Sequence, residues 1–590
     1  MGRLNGHMVY KIISTEFLPL RERSLHDPDE DTYINMLKTL LATGPMYFSY
    51  SLDITNSFQR QAQFDPSVPL WRRADDRFFW NRYIQSDLIN FRNGSGSLLR
   101  QRATEQPGLD PYILPVMFGM MRIVTTRILA KTVLFALITR RSRFKAGTRY
   151  FSRGIDQQGH VSNYNETEQI CILNDSAEGR TGGPNQYALV KGSDEIQVLS
   201  YVQTRGSVPV YWAEINKLRY TPSLEVRGAE TAVDAAEKHF REQIGIYGEN
   251  YLVNLVNQKG REIRIKEAYE EMVRILVTLP AEEKHESARS SEKFHIVEPT
   301  KRRMMLDKLH YIYFDFHNET KDLKWHRAEL LLEKLRPGLE KGGYFRGVDM
   351  PGDVQGGLEV RAQQSAVVRT NCMDCLDRTN VVQSMLGRYT LDKQLLDAGL
   401  LPPGQHADDD PGFNDVFRNM WADNADVVSK SYSGTGALKT DFTRTGKRTQ
   451  LGALMDFSNS ITRYVRNNFF DGVRQDGFDL FLGVYEPSSS MGSMVFADRR
   501  PLFIQAIPYL LAASFLMVLI ATFTRSPPES SIWPVRIFVL VWTAIGSWCF
   551  QFIYAHGMLY VCHPIYVSSP TVLTNYLGQL APAQHAQICD

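Results

Sequence analysis

Residues 369 to 380 read RTNCMDCLDRTN, which places two cysteines, two aspartates and two arginines in twelve positions of a chain that has six cysteines in all. Cys372 and Arg378 bracket five residues, and Thr379 follows directly. The run SAVVRTN that leads in is short, apolar and β-branched, as a buried strand requires. Val381, Val382, Met385, Leu386 and Tyr389 then recur at helical spacing, so a helix is expected to begin near Thr379. A loop between a strand and a helix N-terminus turns several backbone N–H groups and the positive end of the helix toward one spot, which makes an anion site. A cysteine at the mouth of such a loop is stabilised as the thiolate, where a free thiol ionises only near about 8.5. Arg378 can grip two phosphate oxygens through its planar fork, a geometry lysine lacks. Thr379 can donate its hydroxyl to the departing thiolate. The chemistry implied is two-step hydrolysis of a phosphoester through a cysteinyl-phosphate, with neither metal nor organic cofactor.

Other readings of the same residues compete. Cys372 and Cys375 form C-x-x-C, the half of a zinc site or a dithiol redox pair, but no second C-x-x-C or nearby H-x-x-x-H completes a ligand set. A redox pair leaves Arg378 and Thr379 without a role. Within the phosphoester reading, Cys375 is placed to trap an oxidised Cys372 as a disulfide, or simply packs beneath the loop. The proton for the leaving group needs a carboxylic acid. Asp374 is the first choice, and Asp423 in WADNAD is its competitor on another segment. Asn371 and Asp377 in the loop, with Lys439, Arg444 and Lys447 of LKTDFTRTGKR, are the candidate substrate contacts. Arg140, Arg141, Arg143, Lys145, Arg149 and Arg153 form a second basic run without an acid, which is either solvated surface, a headgroup contact or a face toward anionic lipid. His317, in the strand-like YFDFH, reads as a satisfied core histidine.

The elements that must position this loop can be sketched. The chain has 590 residues, 22% of them charged, and a net charge of +2, an ordinary globular balance that excludes a polybasic nucleic-acid binder or an acidic tail. Its few, irregularly spaced cysteines argue against a disulfide framework and for a reducing compartment. Strand-like and helix-like segments alternate through the first 500 residues. They predict a mixed α/β fold with a strand-rich N-terminal lobe over 1–180 and an α/β lobe over 181–495 that carries the Cys-x5-Arg loop. LFIQAIPYLLAASFLMVLIATF, from Leu502 to Phe523, is charge-free for twenty-two residues, long enough to cross a hydrocarbon core of about 30 Å. A second such stretch is expected over 537–557, giving a transmembrane hairpin followed by a tail over 558–590. Arg499 and Arg500 before the first span argue that the large N-terminal part is cytosolic.

The string RTNCMDCLDRTN resembles the catalytic signature of the Sac-domain phosphoinositide phosphatases. The resemblance extends through TGPMYFSYSLDITNSFQRQ, RFFWNRYI, RSRFKAGTRYFSRGID, RGSVPVYW, YFDFH and SYSGTGALKTDFTRTGKR. With the terminal hairpin, the chain is similar to the integral-membrane members of the endoplasmic reticulum and Golgi. The resemblance implies removal of phosphate from phosphatidylinositol monophosphates, chiefly the 4-phosphate, with Cys372 as nucleophile and Arg378 as phosphate clamp. A Sac-like domain that binds phosphoinositide as a tether without turning it over is the alternative, and it gives Cys372 no function. Relatives carry several tens of residues before the equivalent of GHMVYKI, so the N-terminal lobe is expected to be truncated at its start. The tail from Cys562 does not match the family's ending.

Overall fold

The computed structural model describes residues 2–19, 28–95, 105–129, 131–174, 196–277, 306–319, 329–349, 358–374, 376–446, 449–487, 496, 498, 500–524 and 533–565. Fourteen strands occur among them: β1 (Gly2–Leu4), β2 (His7–Lys11), β3 (Met46–Phe48), β4 (Met117–Ile128), β5 (Lys131–Arg141), β6 (Asn165–Leu173), β7 (Ile196–Arg205), β8 (Trp212–Ile215), β9 (Ser223–Val226), β10 (Glu249–Asn254), β11 (Leu309–Tyr313), β12 (Phe345–Asp349), β13 (Leu358–Ala362) and β14 (Ala366–Asn371). Twelve of them join one sheet in the order β1-β2-β3-β4-β5-β6-β7-β14-β10-β11, with β12 and β13 branching from β7.

The sheet changes character at β7. From β1 to β7 every pairing is antiparallel, with short connections only between β1 and β2 and between β4 and β5. Beyond β7 the ladder is parallel, β14 to β7 and β10 to both β14 and β11. β7 serves two partners on one edge: β12 runs antiparallel along its first half, and β14 meets it only at Arg369↔Thr204 and Thr370↔Arg205. The Cys372 loop leaves the carboxyl end of β14 at this seam, the place where open α/β sheets collect ligands. The two predicted parts therefore share a continuous sheet. The boundary expected near residue 180 falls outside the described residues.

Both faces of the parallel part are covered, so its strands are apolar on both sides. Leu252 points to a core with Phe240 and Tyr269 from the helices Val233–Tyr247 and Ile263–Val277. Its neighbour Val253 points the other way, into a core with Val368 of β14 and with Val382 and Leu386 of the helix Asp377–Asp397. The helix Pro411–Ser433 adds Phe413, Phe417 and Trp421 against Phe135 and Leu137 of β5. Gly248 ends the helix Val233–Tyr247 at φ 77°, and a Cβ there would lie 2.2 Å from the Ser365 carbonyl oxygen, so the turn into β10 requires glycine.

Among the described residues two helices are long and apolar enough to cross a membrane, Leu502–Phe523 and Trp533–Ala555. The first has the predicted bounds. The second begins four residues before Ile537 and ends before 557. Pro534 is tolerated in a first helical turn, and the Arg536 guanidinium lies 5.8 Å from the centre of the Trp533 ring, so both residues belong to the helix rather than to the connecting loop. YFDFH also differs from expectation: β11 stops at Tyr313, and Phe316–Glu319 form a helical turn that contains His317.

Candidate active site

β14 delivers the loop and the helix Asp377–Asp397 receives it, as the spacing predicted. Leu376, at the helix start, supplies no side-chain cap, which leaves first-turn amides and the positive helix end directed at the loop. Cys372 is buried, and Thr379, fully buried in the first turn of the helix, lies with its hydroxyl 3.5 Å from the Cys372 sulfur as donor.

Three arginines lie in or beside the loop, and each rests on a carboxylate. Arg378 donates to both carboxylate oxygens of Glu262, at 3.1 and 3.0 Å, and to the Leu255 carbonyl at 2.9 Å. Burial opposes its charge, but Glu262 and Cys372 together raise the guanidinium above its ordinary value. Arg149 approaches Asp374 at 2.8 Å and Arg153 approaches it at 2.7 Å. Arg153 also donates to the Met373 carbonyl and to the Tyr432 hydroxyl, and it pairs with Glu214. Burial would favour the protonated form of Asp374, yet the two guanidinium groups outweigh it and hold the carboxyl well below the usual carboxylate range. Asn163, at a positive φ of 50°, donates to the Asp374 carbonyl and fixes the loop from below.

A buried thiol with a hydroxyl partner, at a helix N-terminus with arginines beside the loop, is what the comparisons with known proteins meet. A family profile described as SacI homology domain matches residues 1–321, more than half of the chain. The chain is 45% identical over 523 residues to phosphatidylinositol-3-phosphatase SAC1 of Saccharomyces cerevisiae, covering 88% of this chain and 74% of that protein. It is 36% identical over 573 residues to phosphatidylinositol-3-phosphatase SAC1 of Drosophila melanogaster, covering 96% and 84%. It is 33% identical over 575 residues to phosphoinositide phosphatase SAC6 of Arabidopsis thaliana, again covering 96% and 84%. This chain belongs to the Sac phosphoinositide phosphatase family.

In this Sac-family chain the remaining sequence-derived residues divide by position. Asp377 accepts from the Leu438 amide at 2.8 Å, and burial together with nearby Asp374 and Asp456 raises its proton affinity above that of an ordinary aspartate despite Arg463. Asn371 is fully buried, and its amide donates to Asn254 between the ends of β14 and β10, so it ties strands rather than facing the loop's open side. Lys439 is exposed at φ 60°, with its backbone amide on Asp456. Arg444 is turned to Asn419, Asp423 and Asp426, and Asp423 also pairs with Arg122, so neither Arg444 nor Asp423 reaches Cys372 in this arrangement. Lys447 and Cys375 lie outside the described residues, and with Cys375 go the C-x-x-C and disulfide readings.

Of the long basic run, Arg149 and Arg153 reach the loop, whereas Arg140 and Arg141 are buried structural residues and Arg143 pairs with Asp76. Glu262, Asn163 and Arg463 carried no motif signal. Arg463, in the helix Gln450–Phe469, is buried and donates to Thr435, Ser429 and the Gly436 carbonyl, which fixes the SGTG turn beside Asp377. Only its position on the buried face of that helix, opposite a run of apolar residues, could have marked it.

Proposed function

We propose that this protein hydrolyses a phosphatidylinositol monophosphate to phosphatidylinositol through a cysteinyl-phosphate, with Cys372 as the nucleophile. The observation that carries this reading is the Cys372 sulfur beside the Thr379 hydroxyl at an uncapped helix N-terminus. The amides of that first turn and the forked donors of Arg378 stabilise the equatorial oxygens as charge develops on them. Arg378 is bound to Glu262 in the resting geometry, so engaging phosphate exchanges one bidentate partner for another. Arg149 and Arg153 supply further positive charge beside Asp374. Asp377, whose proton affinity is raised, suits the general acid better than Asp374, which two arginines hold ionised. Water then attacks phosphorus, and Thr379 assists the leaving thiolate. Every group in this sequence is a side chain or an amide of the chain itself.

For the preferred isomer, the family resemblance supports the 4-phosphate, while the curated relatives from yeast and fly carry the 3-phosphate in their names. The resemblance and the paired apolar helices support residence in endoplasmic reticulum and Golgi membranes, with the catalytic part facing the cytosol. The test is phosphate release by the full chain in vesicles that each hold one phosphoinositide isomer, with and without EDTA. Fastest release from the 4-phosphate, unaffected by chelation, is the expected result. Faster release from the 3-phosphate would reassign the substrate, and loss of activity with EDTA that zinc or magnesium restores would overturn the metal-free mechanism.

A further inference from the structure

The helix Gln450–Phe469 presents an apolar face that nothing among the described residues covers. Leu451, Leu454, Met455, Phe457, Ile461 and Val465 are between 40% and 67% exposed. At 100° per residue these six fall within about 160° of arc. The other exposed residues within that arc are uncharged, and the charged residues of the helix, Asp456, Arg463 and Arg466, lie outside it. The opposite face is committed to the catalytic part. Arg463 fixes the turn at Thr435 and Gly436, Asp456 accepts from the Lys439 amide, and the intervening Leu438 amide donates to Asp377 of the catalytic loop.

The same helix is joined to the foot of the hairpin. The Tyr464 hydroxyl donates to the Leu218 carbonyl at 2.6 Å, and the Tyr464 ring stacks with that of exposed Tyr220. Leu218 packs with Ile507 and Cys549 in the apolar cluster between the two long helices, and Arg219 lies over the Tyr554 ring. The segment that leaves the hairpin returns to the helix, with the Cys562 amide on the Asn468 carbonyl at 2.8 Å. The bare face therefore begins where the hairpin meets the catalytic part, and its far end lies about 20 Å further along the helix axis.

We propose that the helix Gln450–Phe469 lies with its exposed apolar face in the lipid surface of the membrane that the hairpin spans, and that this contact sets the Cys372 loop against substrate in the protein's own membrane. The continuity with the hairpin selects lipid as the occupant, because a charge-free face of this size in water marks a contact surface and the nearest apolar phase is the bilayer at the hairpin's foot. The helix then works as a plate: lipid on one face, and on the other the SGTG turn and the catalytic loop.

The test uses the full chain reconstituted in vesicles and has an arm independent of catalysis. A fluorophore attached at Ser458→Cys, in the middle of the face, with the other reactive cysteines replaced by serine, is expected to be quenched by lipids carrying a shallow acyl spin label and not by aqueous iodide. The same fluorophore at Gln405→Cys, on an exposed loop, should show the reverse. Iodide quenching at Ser458→Cys, or quenching by neither agent, would overturn the proposal. In the catalytic arm, Leu454→Glu combined with Ile461→Glu should lower turnover of bilayer-embedded substrate at least tenfold while leaving a short-chain soluble substrate within twofold. Equal loss on both substrates would make the face a structural element and overturn the proposal. Wild type should turn over substrate in its own vesicle and not in separate vesicles, and equal rates would overturn it. A wild-type dimer in detergent that the double substitution splits would assign the face to a second copy, with the same result.

Discussion

Two of the arginine–carboxylate networks among the described residues share the same chemistry and differ in access. Along β5 and β6, Arg140 binds Glu166 at 3.0 Å and Glu168 at 2.6 Å, Arg60 closes on the second Glu166 oxygen at 2.8 Å, and Tyr247 donates to Glu166 as well. Arg140, Glu166 and Glu168 have no solvent exposure. At the catalytic loop, Arg149, Arg378 and Asp374 keep about a fifth of their side-chain surface in water. A sealed pair has no alternative partner, so breaking it leaves an unpaired buried charge. A half-open pair competes with water and with any phosphate that arrives, which is the condition for a residue that must change partners during turnover. Burial, rather than the identity of the ion pair, separates Arg140 and Arg153, which are sealed, from Arg149 and Arg378, which water and substrate can reach.

The comparison can be broken by substitution. Cys372→Ser should lower turnover by about 10⁴-fold or more while the melting temperature stays put, because the hydroxyl fits the site but does not ionise near neutral pH. A retained rate would remove the cysteinyl-phosphate. Arg140→Met should cost about 3–5 kcal/mol of stability, read by denaturant unfolding, with unchanged activity per folded molecule. A purely catalytic defect would show that the sealed network is not sealed.

Arg378→Lys should do the opposite, lowering kcat/KM by about 10²-fold with little change in stability, since lysine loses the bidentate grip. The loop's two aspartates are separated by pH. Asp377 has a raised proton affinity, so activity that needs its protonated form falls as pH rises through that value. Asp377→Asn should lower kcat and flatten that basic limb; an unchanged limb would return the role to another acid. The smallest effect is expected from Glu262→Gln. A partly exposed pair contributes about 1 kcal/mol or less, so freeing Arg378 should lower KM by no more than about fivefold. A rise in KM would show that Glu262 orients Arg378 for substrate instead of competing for it.

The sealed network also has a pH signature. Burial would raise the Glu166 carboxyl, but Arg60 and Arg140 bring it down to about 2. A carboxyl lower in the folded than in the unfolded state stabilises the fold above about pH 4.3 and loses that contribution as pH falls toward 2. In the Arg140→Met variant this acid-dependent component should shrink.

Much of the site could be read from RTNCMDCLDRTN because strand, loop and helix are contiguous there: β14 ends at Asn371, Cys372 and Thr379 are seven residues apart, and local geometry brings them to 3.5 Å. The first apolar helix was legible for a similar reason, since twenty-two charge-free residues specify a span without reference to neighbours. The partners of Arg444 were not legible, because Asp423 and Asp426 come from a separate helix that packing brings beside it. The start of the second long helix was missed because Pro534 and Arg536 resemble a loop in sequence but are both compatible with a first turn at a membrane surface.

Sequence alone determined the family, the strand–loop–helix setting of Cys372 and the paired apolar helices, all of which depend on residues near one another along the chain. Which distant side chains complete the loop was decided by the tertiary structure. Glu262 meets Arg378 across 116 positions, Arg149 meets Asp374 across 225, and Tyr464 meets the Leu218 carbonyl across 246. Such pairings carry no periodicity or motif, because they follow from how β7, β14 and β10 align in the sheet and from where the covering helices end. The exposed face of Gln450–Phe469 has the same origin: its apolar spacing is written in the sequence, but only packing shows that the core takes the other side.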